Sequence, residues 1–278
     1  MIGGTLPVGC GQCLPCRVLR KKVWADRIFL ESLCHDNNCW ATLTYEDSEL
    51  DHEKGLRPDH LSGFIKRLRA RWPTKLRFFG VGEYGSQTLR PHYHVALFGV
   101  SVLLGDEVSK CWPYGFTSVL PLEQGSAEYL AKYTLKHMTF DTDWRLDGYA
   151  PEFMRCSNRP GIGAPAVAVI AEKLKLDYGY DIDAEGDVPK QLKMGRRSII
   201  LGRYLRSKLR TEVGLTPEYL EQLKQEWVDD VDDVMFPLRM ASKKDKEGKT
   251  AKQLFVELNM GKIWSVEARA KLRDRRKL

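Results

Sequence analysis

A chain of 278 residues, 43% of them hydrophobic, can bury a substantial core as one large domain or as one domain with an appendage. Its formal net charge of +7 favours a polyanionic partner without requiring one. No apolar run reaches about 18 residues, which argues against a membrane partner, and the first residues lack the pattern of a signal peptide. We therefore expect a cytoplasmic protein with reduced thiols.

Three cysteines at the start of the chain have the spacing of metal ligands. They are Cys10, Cys13 and Cys16. A structural Zn²⁺ site takes four ligands, so these thiolates need a fourth from elsewhere in the chain. The candidates for that fourth ligand are Cys34, His35 and Cys39. The same spacing also fits three reduced thiols in a tight turn, and an odd total of seven cysteines argues against a disulfide framework.

The first part of the chain alternates predicted helices and strands. Residues 18–33 have the apolar spacing of a basic amphipathic helix, and residues 39–45, rich in β-branched and aromatic side chains, predict a strand. Asp59 is placed to cap a second helix. The apolar stripe of that helix consists of Leu61, Phe64, Ile65 and Leu68.

Two further strands are predicted at residues 76–82 and 91–100, and the short connection between them indicates a hairpin. A short helix near residues 106–112, a strand at 116–120 and a helix at about 126–138 follow. The order β-α-β-β-α-β-α with short links predicts an α+β domain, in which helices pack on a central antiparallel sheet.

Beyond residue 140 the periodicity weakens. Residues 188–211 contain eight Lys and Arg and no Asp or Glu, and Arg196 and Arg197 lie among them. Such a stretch can contact a phosphate backbone, although it is also typical of a solvated surface. A threonine followed by proline at residues 216–217 has the form of a helix start. We divide the chain into a cysteine-rich segment with a basic helix at 1–38, a core at 39–165 and a basic, mainly helical extension at 166–278.

Two histidines mark a candidate metal site. Because successive strand residues point to opposite faces, His92 and His94 project from the same face, close enough to bind one ion. Glu83, at the end of the preceding strand, is the candidate third ligand. Two imidazoles and a carboxylate suit Mn²⁺ or Mg²⁺ with open positions for a phosphate oxygen. Arg90, beside this strand, is a candidate DNA contact.

A pair of tyrosines lies about 35 residues further along the chain. Four polar residues there have i, i+3, i+4, i+7 spacing and so lie on one helix face: Tyr129, Lys132, Tyr133 and Lys136. A tyrosine oxygen can attack phosphorus and form a reversible ester, while lysines orient the phosphate. Either pair alone is more typical of a structural position. Together they favour cleavage of DNA through a covalent phosphotyrosine.

Three segments resemble motifs of the HUH family of rolling-circle replication initiators. His92-Tyr93-His94 matches the His–hydrophobic–His motif, residues 39–45 are similar to the first motif, and residues 129–133 are similar to the tyrosine motif. The cysteine start, residues 82–85 and residues 159–163 are similar to replication initiation proteins of the gokushovirus branch of the microviruses, which are small single-stranded DNA phages.

The resemblance implies an HUH endonuclease fold and a metal-dependent tyrosine endonuclease and strand transferase. Such an enzyme nicks supercoiled or single-stranded origin DNA in the cytoplasm of the host cell, stays bound to the 5′ phosphate, and later rejoins the strand, with host replication proteins as partners. It implies that His92 and His94, with Glu83, bind metal. It implies that Tyr129 and Tyr133 are alternating nucleophiles and that Lys132 is the lysine of the tyrosine motif.

Three alternatives stay open at this point. The first is a plasmid replication initiator or a transposase with the same fold. The second is a metal-dependent hydrolase in which water attacks and the tyrosines pack in the core. The third is a zinc-containing DNA-binding protein that depends on Cys10, Cys13 and Cys16, with the two histidines in structural positions.

Overall fold

The computed structural model describes residues 14–50, 55–72, 75–85, 88–123, 125, 127–128, 131, 146–177 and 186–275. The chain divides into two compact units. The sheet unit comprises Arg20–Tyr180 and Pro189–Leu209, and the helical unit comprises Met1–Leu19, Asp181–Val188 and Arg210–Leu278.

The strands among the described residues are β1 (Asn38–Tyr45), β2 (Arg77–Tyr84), β3 (Pro91–Phe98), β4 (Gly115–Pro121), β5 (Phe153–Cys156), β6 (Gln191–Met194) and β7 (Arg197–Ile200). The described α-helices are α1 (Leu14–Ser32), α2 (Pro58–Arg71), α3 (Gly105–Ser109), α4 (Ala166–Asp177), α5 (Gly202–Glu212), α6 (Pro217–Lys244) and α7 (Ala251–Arg275). Short 3₁₀ turns lie at Asp47–Glu49 and Val102–Leu104.

The central sheet has five strands in the order β4-β1-β3-β2-β5, and neighbouring strands are antiparallel. The predicted hairpin of β2 and β3 is confirmed. β1 pairs with β3 on one side and with β4 on the other, so it lies inside the sheet although it comes first in sequence. The predicted α+β class, with helices packed on a central antiparallel sheet, is therefore confirmed.

Helices cover both faces of the sheet. On the back face, which we define by Leu43, Tyr93 and Val95, the predicted apolar stripe of α2 is fully buried. On the front face, defined by Phe79, Ala96 and Phe98, Ile28 of α1 is part of the buried cluster. Burial of one such large side chain stabilises the fold by about 1.5–3 kcal/mol, so the two clusters fix both helices on the sheet.

The predicted capping role of Asp59 is wrong. The N-cap residue of α2 is Arg57, Pro58 takes the first helical position, and Asp59 lies in the first turn. The Asp59 carboxylate accepts hydrogen bonds from the Arg57 guanidinium at 3.2 and 3.1 Å. Proline already has the dihedral angle of a helix start, so the helix begins before the aspartate.

Two β elements were not predicted. β5 has four residues and pairs with β2 at the edge of the sheet, and β6 and β7 form a separate two-stranded hairpin within the basic stretch. Four-residue strands are too short to show an alternating pattern, so nothing in the sequence marks them. The segment that follows residue 165 is otherwise mainly helical, as predicted.

Residues 159–163 have a structural role in the sheet unit. A Cβ added at Gly161 would lie 2.8 Å from the Tyr204 ring, and Gly163 has a φ of +82° with its α-carbon packed against the α1 backbone. Buried Glu31 of α1 accepts a hydrogen bond from the Gly163 amide at 2.6 Å and forms an ion pair with buried Arg77 of β2. This ion pair joins α1, β2 and the glycine-rich segment.

The helical unit contains the packed pair α6 and α7. The predicted helix start at Thr216 is confirmed, because the Thr216 side chain accepts a hydrogen bond from the Tyr219 amide at 3.2 Å. Among the described residues no helix is both long and apolar enough to span a membrane. The predicted boundaries at 38/39 and 165/166 stay a prediction.

Glu31→Gln should destabilise the protein by about 3–5 kcal/mol, because it leaves the buried Arg77 charge without its counter-charge at almost unchanged volume. The free energy of unfolding is measured by urea titration followed by circular dichroism. The control is Glu107→Gln, which removes an exposed partner of Arg71 and Lys110 and should leave the midpoint unchanged. Equal effects of the two substitutions would contradict the structural role of the buried pair.

Candidate metal centre

Glu83, His92 and His94 converge on the front face of the sheet. In the pairing of β2 with β3, Glu83 lies directly opposite His92. One Glu83 carboxylate oxygen lies 2.7 Å from His92 Nε2 and 3.1 Å from His94 Nε2. The three side chains offer one ligand atom each within 4.8 Å of one another, and Glu83 and His94 are buried while His92 is partly exposed.

The chemistry of these donors fits a divalent cation. Ligand atoms about 2.1 Å from an octahedral ion lie roughly 3 Å apart, close to the two separations between Glu83 and the imidazoles. His92 Nδ1 lies 3.1 Å from the Arg90 carbonyl oxygen, which can only accept a hydrogen bond, so the proton of a neutral His92 belongs on Nδ1. Its Nε2 lone pair then points to the Glu83 carboxylate, an arrangement that a cation between the two stabilises.

The backbone beside His92 is held by Arg90. The Arg90 guanidinium donates to the Tyr45 carbonyl oxygen at 2.5 Å and to the Asp47 carboxylate at 2.6 Å. These bonds join the start of β3 to the end of β1. Arg90 was predicted as a DNA contact, and in the structure its side chain is about one-third exposed and paired with Asp47.

His94 is oriented by two residues that the sequence did not single out. The Thr42 hydroxyl lies 3.0 Å from His94 Nδ1, and the Trp40 indole N–H donates to the same hydroxyl at 3.0 Å. Thr42 is directly opposite His94 in the pairing of β1 with β3. Partners of this kind fix the ring orientation and the tautomer of a metal-binding histidine. The signal that could have found Thr42 is its position on the same face as His94.

Tyr93, between the two histidines, points to the back face and fixes β3 from behind. Its hydroxyl donates to the Arg57 carbonyl oxygen at 3.1 Å and accepts from the Arg57 amide at 2.8 Å. It also lies 2.7 Å from the Tyr45 hydroxyl, which lies 2.9 Å from His60 Nδ1. Burial raises the pKa of Tyr93 to about 12, so the phenol stays neutral and serves as a structural anchor.

The predicted catalytic residues Tyr129, Tyr133 and Lys132, together with Lys136, lie outside the described residues. The same segment is described at Ala127, Glu128 and Ala131, which are helical. Ala127 and Ala131 are buried, and Ala127 belongs to the front-face cluster that includes Val81 and Ala96.

The two predicted DNA contacts of the basic stretch differ in their surroundings. Arg196 is exposed in the turn between β6 and β7. Arg197 is mostly buried: its guanidinium pairs with Asp26 at 2.9 Å and stacks over the Phe29 ring at 4.0 Å. Arg197 therefore attaches the hairpin to α1, and Arg196 is the more accessible of the two.

Two of the cysteines with metal-ligand spacing, Cys10 and Cys13, lie outside the described residues, whereas Cys16 is partly buried in α1. Cys39, a candidate fourth ligand, lies in the back-face core, and burial raises the pKa of its thiol to about 12. Within the described ranges, Glu83, His92 and His94 are the only group of three or more potential ligands.

A cleft of about 510 Å³ lies away from these ligands, around Arg77 at the opposite end of β2. Its cationic lining residues are Arg69, Lys75, Arg77 and Arg159. Arg77 is already paired with Glu31 there. Because Glu83 is six residues further along β2, the cleft and the metal ligands lie about 20 Å apart, and the cleft is not part of the metal centre.

Comparison with known proteins gives this site a context. Residues 38–138 match the family model of the replication-associated protein ORF2. The predicted resemblance to phage replication proteins is confirmed. The match includes β1, the β2–β3 hairpin with its three metal-ligand candidates, and the predicted tyrosine segment.

Three curated relatives come from phages. The chain is 30% identical to replication-associated protein ORF2 of Spiroplasma virus 4 (56% of this chain, 55% of the relative), and 29% identical to replication-associated protein VP4 of Bdellovibrio phage phiMH2K (65% and 64%). It is 28% identical to replication-associated protein ORF4 of Chlamydia phage 1 (50% and 40%). The chain thus spans about half the length of the curated relatives it matches. No solved structure matches it significantly, so the HUH fold stays a prediction.

Thr42→Val should weaken Mn²⁺ binding by about 10- to 100-fold, because it removes the hydroxyl that orients His94 at nearly constant volume. Thr42→Ser keeps the hydroxyl and should bind like the wild type. The dissociation constant is measured by isothermal titration calorimetry. Thr117→Val is the matched control, since Thr117 lies on the back-facing side of β4. Wild-type Mn²⁺ affinity in Thr42→Val would contradict the assignment.

Proposed function

We propose that this protein initiates the replication of a small single-stranded DNA phage by nicking origin DNA and later rejoining the strand. The observation that supports this function most directly is the convergence of Glu83, His92 and His94 on one sheet face, in a chain similar to phage replication-associated proteins. The expected substrates are supercoiled and single-stranded origin DNA. Host replication proteins are the expected partners, and the host cytoplasm is the expected location.

Glu83, His92 and His94 would hold Mn²⁺ or Mg²⁺, which polarises a phosphoryl oxygen and stabilises the charge that develops during cleavage. The protein orients these ligands in advance. The Arg90 carbonyl oxygen fixes the His92 ring, and Thr42 fixes the His94 ring. Partial exposure of His92 leaves one side of the centre open to a phosphodiester.

The proposed nucleophile is the phenol oxygen of Tyr129 or Tyr133. The phenol loses its proton as its oxygen attacks phosphorus, the bond from phosphorus to the 3′ oxygen breaks, and the 3′ oxygen takes up a proton. The 5′ phosphate is then esterified to tyrosine, and the reverse attack by a 3′ hydroxyl rejoins the strand. Lys132 would orient the phosphate. Burial of Ala127 in the front-face cluster supports this assignment, because it lies two residues before Tyr129.

Incubation with Mn²⁺ and single-stranded oligonucleotides tiled across the genome that encodes the chain should give a protein–DNA adduct that survives denaturation. The adduct is measured by mobility in a denaturing gel. His92→Ala should abolish it, because two ligands hold the cation too weakly. The double substitution Tyr129→Phe, Tyr133→Phe should also abolish it, while Tyr219→Phe in the helical unit should not.

The three alternative functions give different results in the same assay. A hydrolase that uses water would give free DNA ends without an adduct, and a DNA-binding protein without catalysis would give neither. Adduct yield that is unchanged in the double tyrosine variant would falsify the nucleophile assignment. A plasmid initiator or transposase would form the adduct on oligonucleotides from another replicon.

A further inference from the structure

Phe116 of β4 lies in register with the metal ligands. Thr44 of β1 is directly opposite Phe116 on one side and His92 on the other, and His92 is directly opposite Glu83. Directly opposite residues of antiparallel strands point to the same face, so these four side chains form one row across the front face, which we name the ligand row. Phe116 is two strands away from His92, or about 10 Å.

The front-facing side of β4 is open. Phe116 is 67% exposed and Leu120 is 58% exposed, and Ser118 between them is also exposed. The opposite side of the strand is different, because Val119 packs against the back-face core. β4 therefore contributes to the core with one face and presents an aromatic and an aliphatic side chain to solvent with the other.

An exposed phenylalanine is common by itself, and the position of this one decides its meaning. Its ring lies beside the proposed scissile phosphate, at a distance equal to the rise of roughly three nucleotides in one strand of B-DNA. Proteins that bind single strands stack bases on exposed aromatic rings next to a cationic path for the backbone. Such a path is offered by Arg90, which contacts the Tyr45 carbonyl oxygen, since Tyr45 is directly opposite Gly115, the neighbour of Phe116.

We propose that Phe116 is a stacking platform for an unpaired base that flanks the scissile phosphate. This inference rests on the proposed function and specifies its substrate as a single strand whose bases are unstacked at the metal centre. Stacking requires only the flat face of a base, so Phe116 would hold the strand without selecting its sequence. Leu120, four residues further along β4, extends the apolar surface, and Ser118 between them can donate a hydrogen bond.

The test measures the affinity of the intact chain for fluorescein-labelled oligo(dT) by fluorescence anisotropy, over a range of salt concentrations. Phe116→Ala should bind about 5- to 150-fold more weakly, whereas Phe116→Trp should bind at least as tightly as the wild type. The salt dependence should be unchanged, because the phosphate contacts are the same. Leu103→Ala is the matched control, as Leu103 is an 89% exposed apolar residue outside β4.

A second arm uses the same oligonucleotide with abasic sites in place of bases. The wild type should lose affinity for it, and the difference between wild type and Phe116→Ala should disappear. Phe116→Leu, which keeps apolar area without an aromatic face, should behave like Phe116→Ala. Equal affinity of wild type and Phe116→Ala for intact oligo(dT) would overturn the proposal. So would a change from dimer to monomer in Phe116→Ala at unchanged DNA affinity, which would assign the surface to a second copy of the chain.

The outcome is independent of the proposed chemistry. If no adduct forms but Phe116→Ala weakens binding as stated, the platform stands and the nicking function fails. If the adduct forms and Phe116→Ala binds normally, the nicking function stands and the platform fails.

Discussion

The register in which β3 pairs with its two neighbours is the constraint on which the rest of the site depends. It aligns His92 with Glu83 on one side and with Thr44 on the other, and it places Thr42 beside His94. Side chains alternate between the two faces of a strand, so a slip of one residue would turn both histidines into the core and expose Tyr93. The hydroxyl of Tyr93, bonded to the backbone of Arg57, opposes such a slip.

The two faces of the sheet have separate tasks. The back face provides stability through α2 and the buried aromatic side chains around Tyr93. On the front face, α1 covers the end of β2 and β3 near Phe79 and Phe98, while the other end holds the metal ligands. The Glu31–Arg77 ion pair attaches α1 at its own end. A rigid sheet can thus hold three ligands in fixed positions while part of the same face stays open to a substrate.

Most of the local elements could be predicted from sequence. The apolar spacing of α2, the alternation in β1 and the short link between β2 and β3 are properties of neighbouring residues, and each prediction is confirmed. Asp59 shows the limit of such reasoning, since two residues in one turn compete to start a helix and their local geometry decides. β5 was missed because a four-residue edge strand is defined by its partner and not by its own pattern.

The sequence by itself determined that His92 and His94 lie on one face, because the two-residue period of a strand is a local property. It also indicated Glu83, since a hairpin brings its two strands together. Only the tertiary structure decided that Thr42 and Trp40 support His94, that residues 159–163 pack against α1, and that Phe116 lies in the ligand row. Those contacts join segments that are far apart in the chain, and the strand order that brings them together follows from packing the whole sheet between its helices.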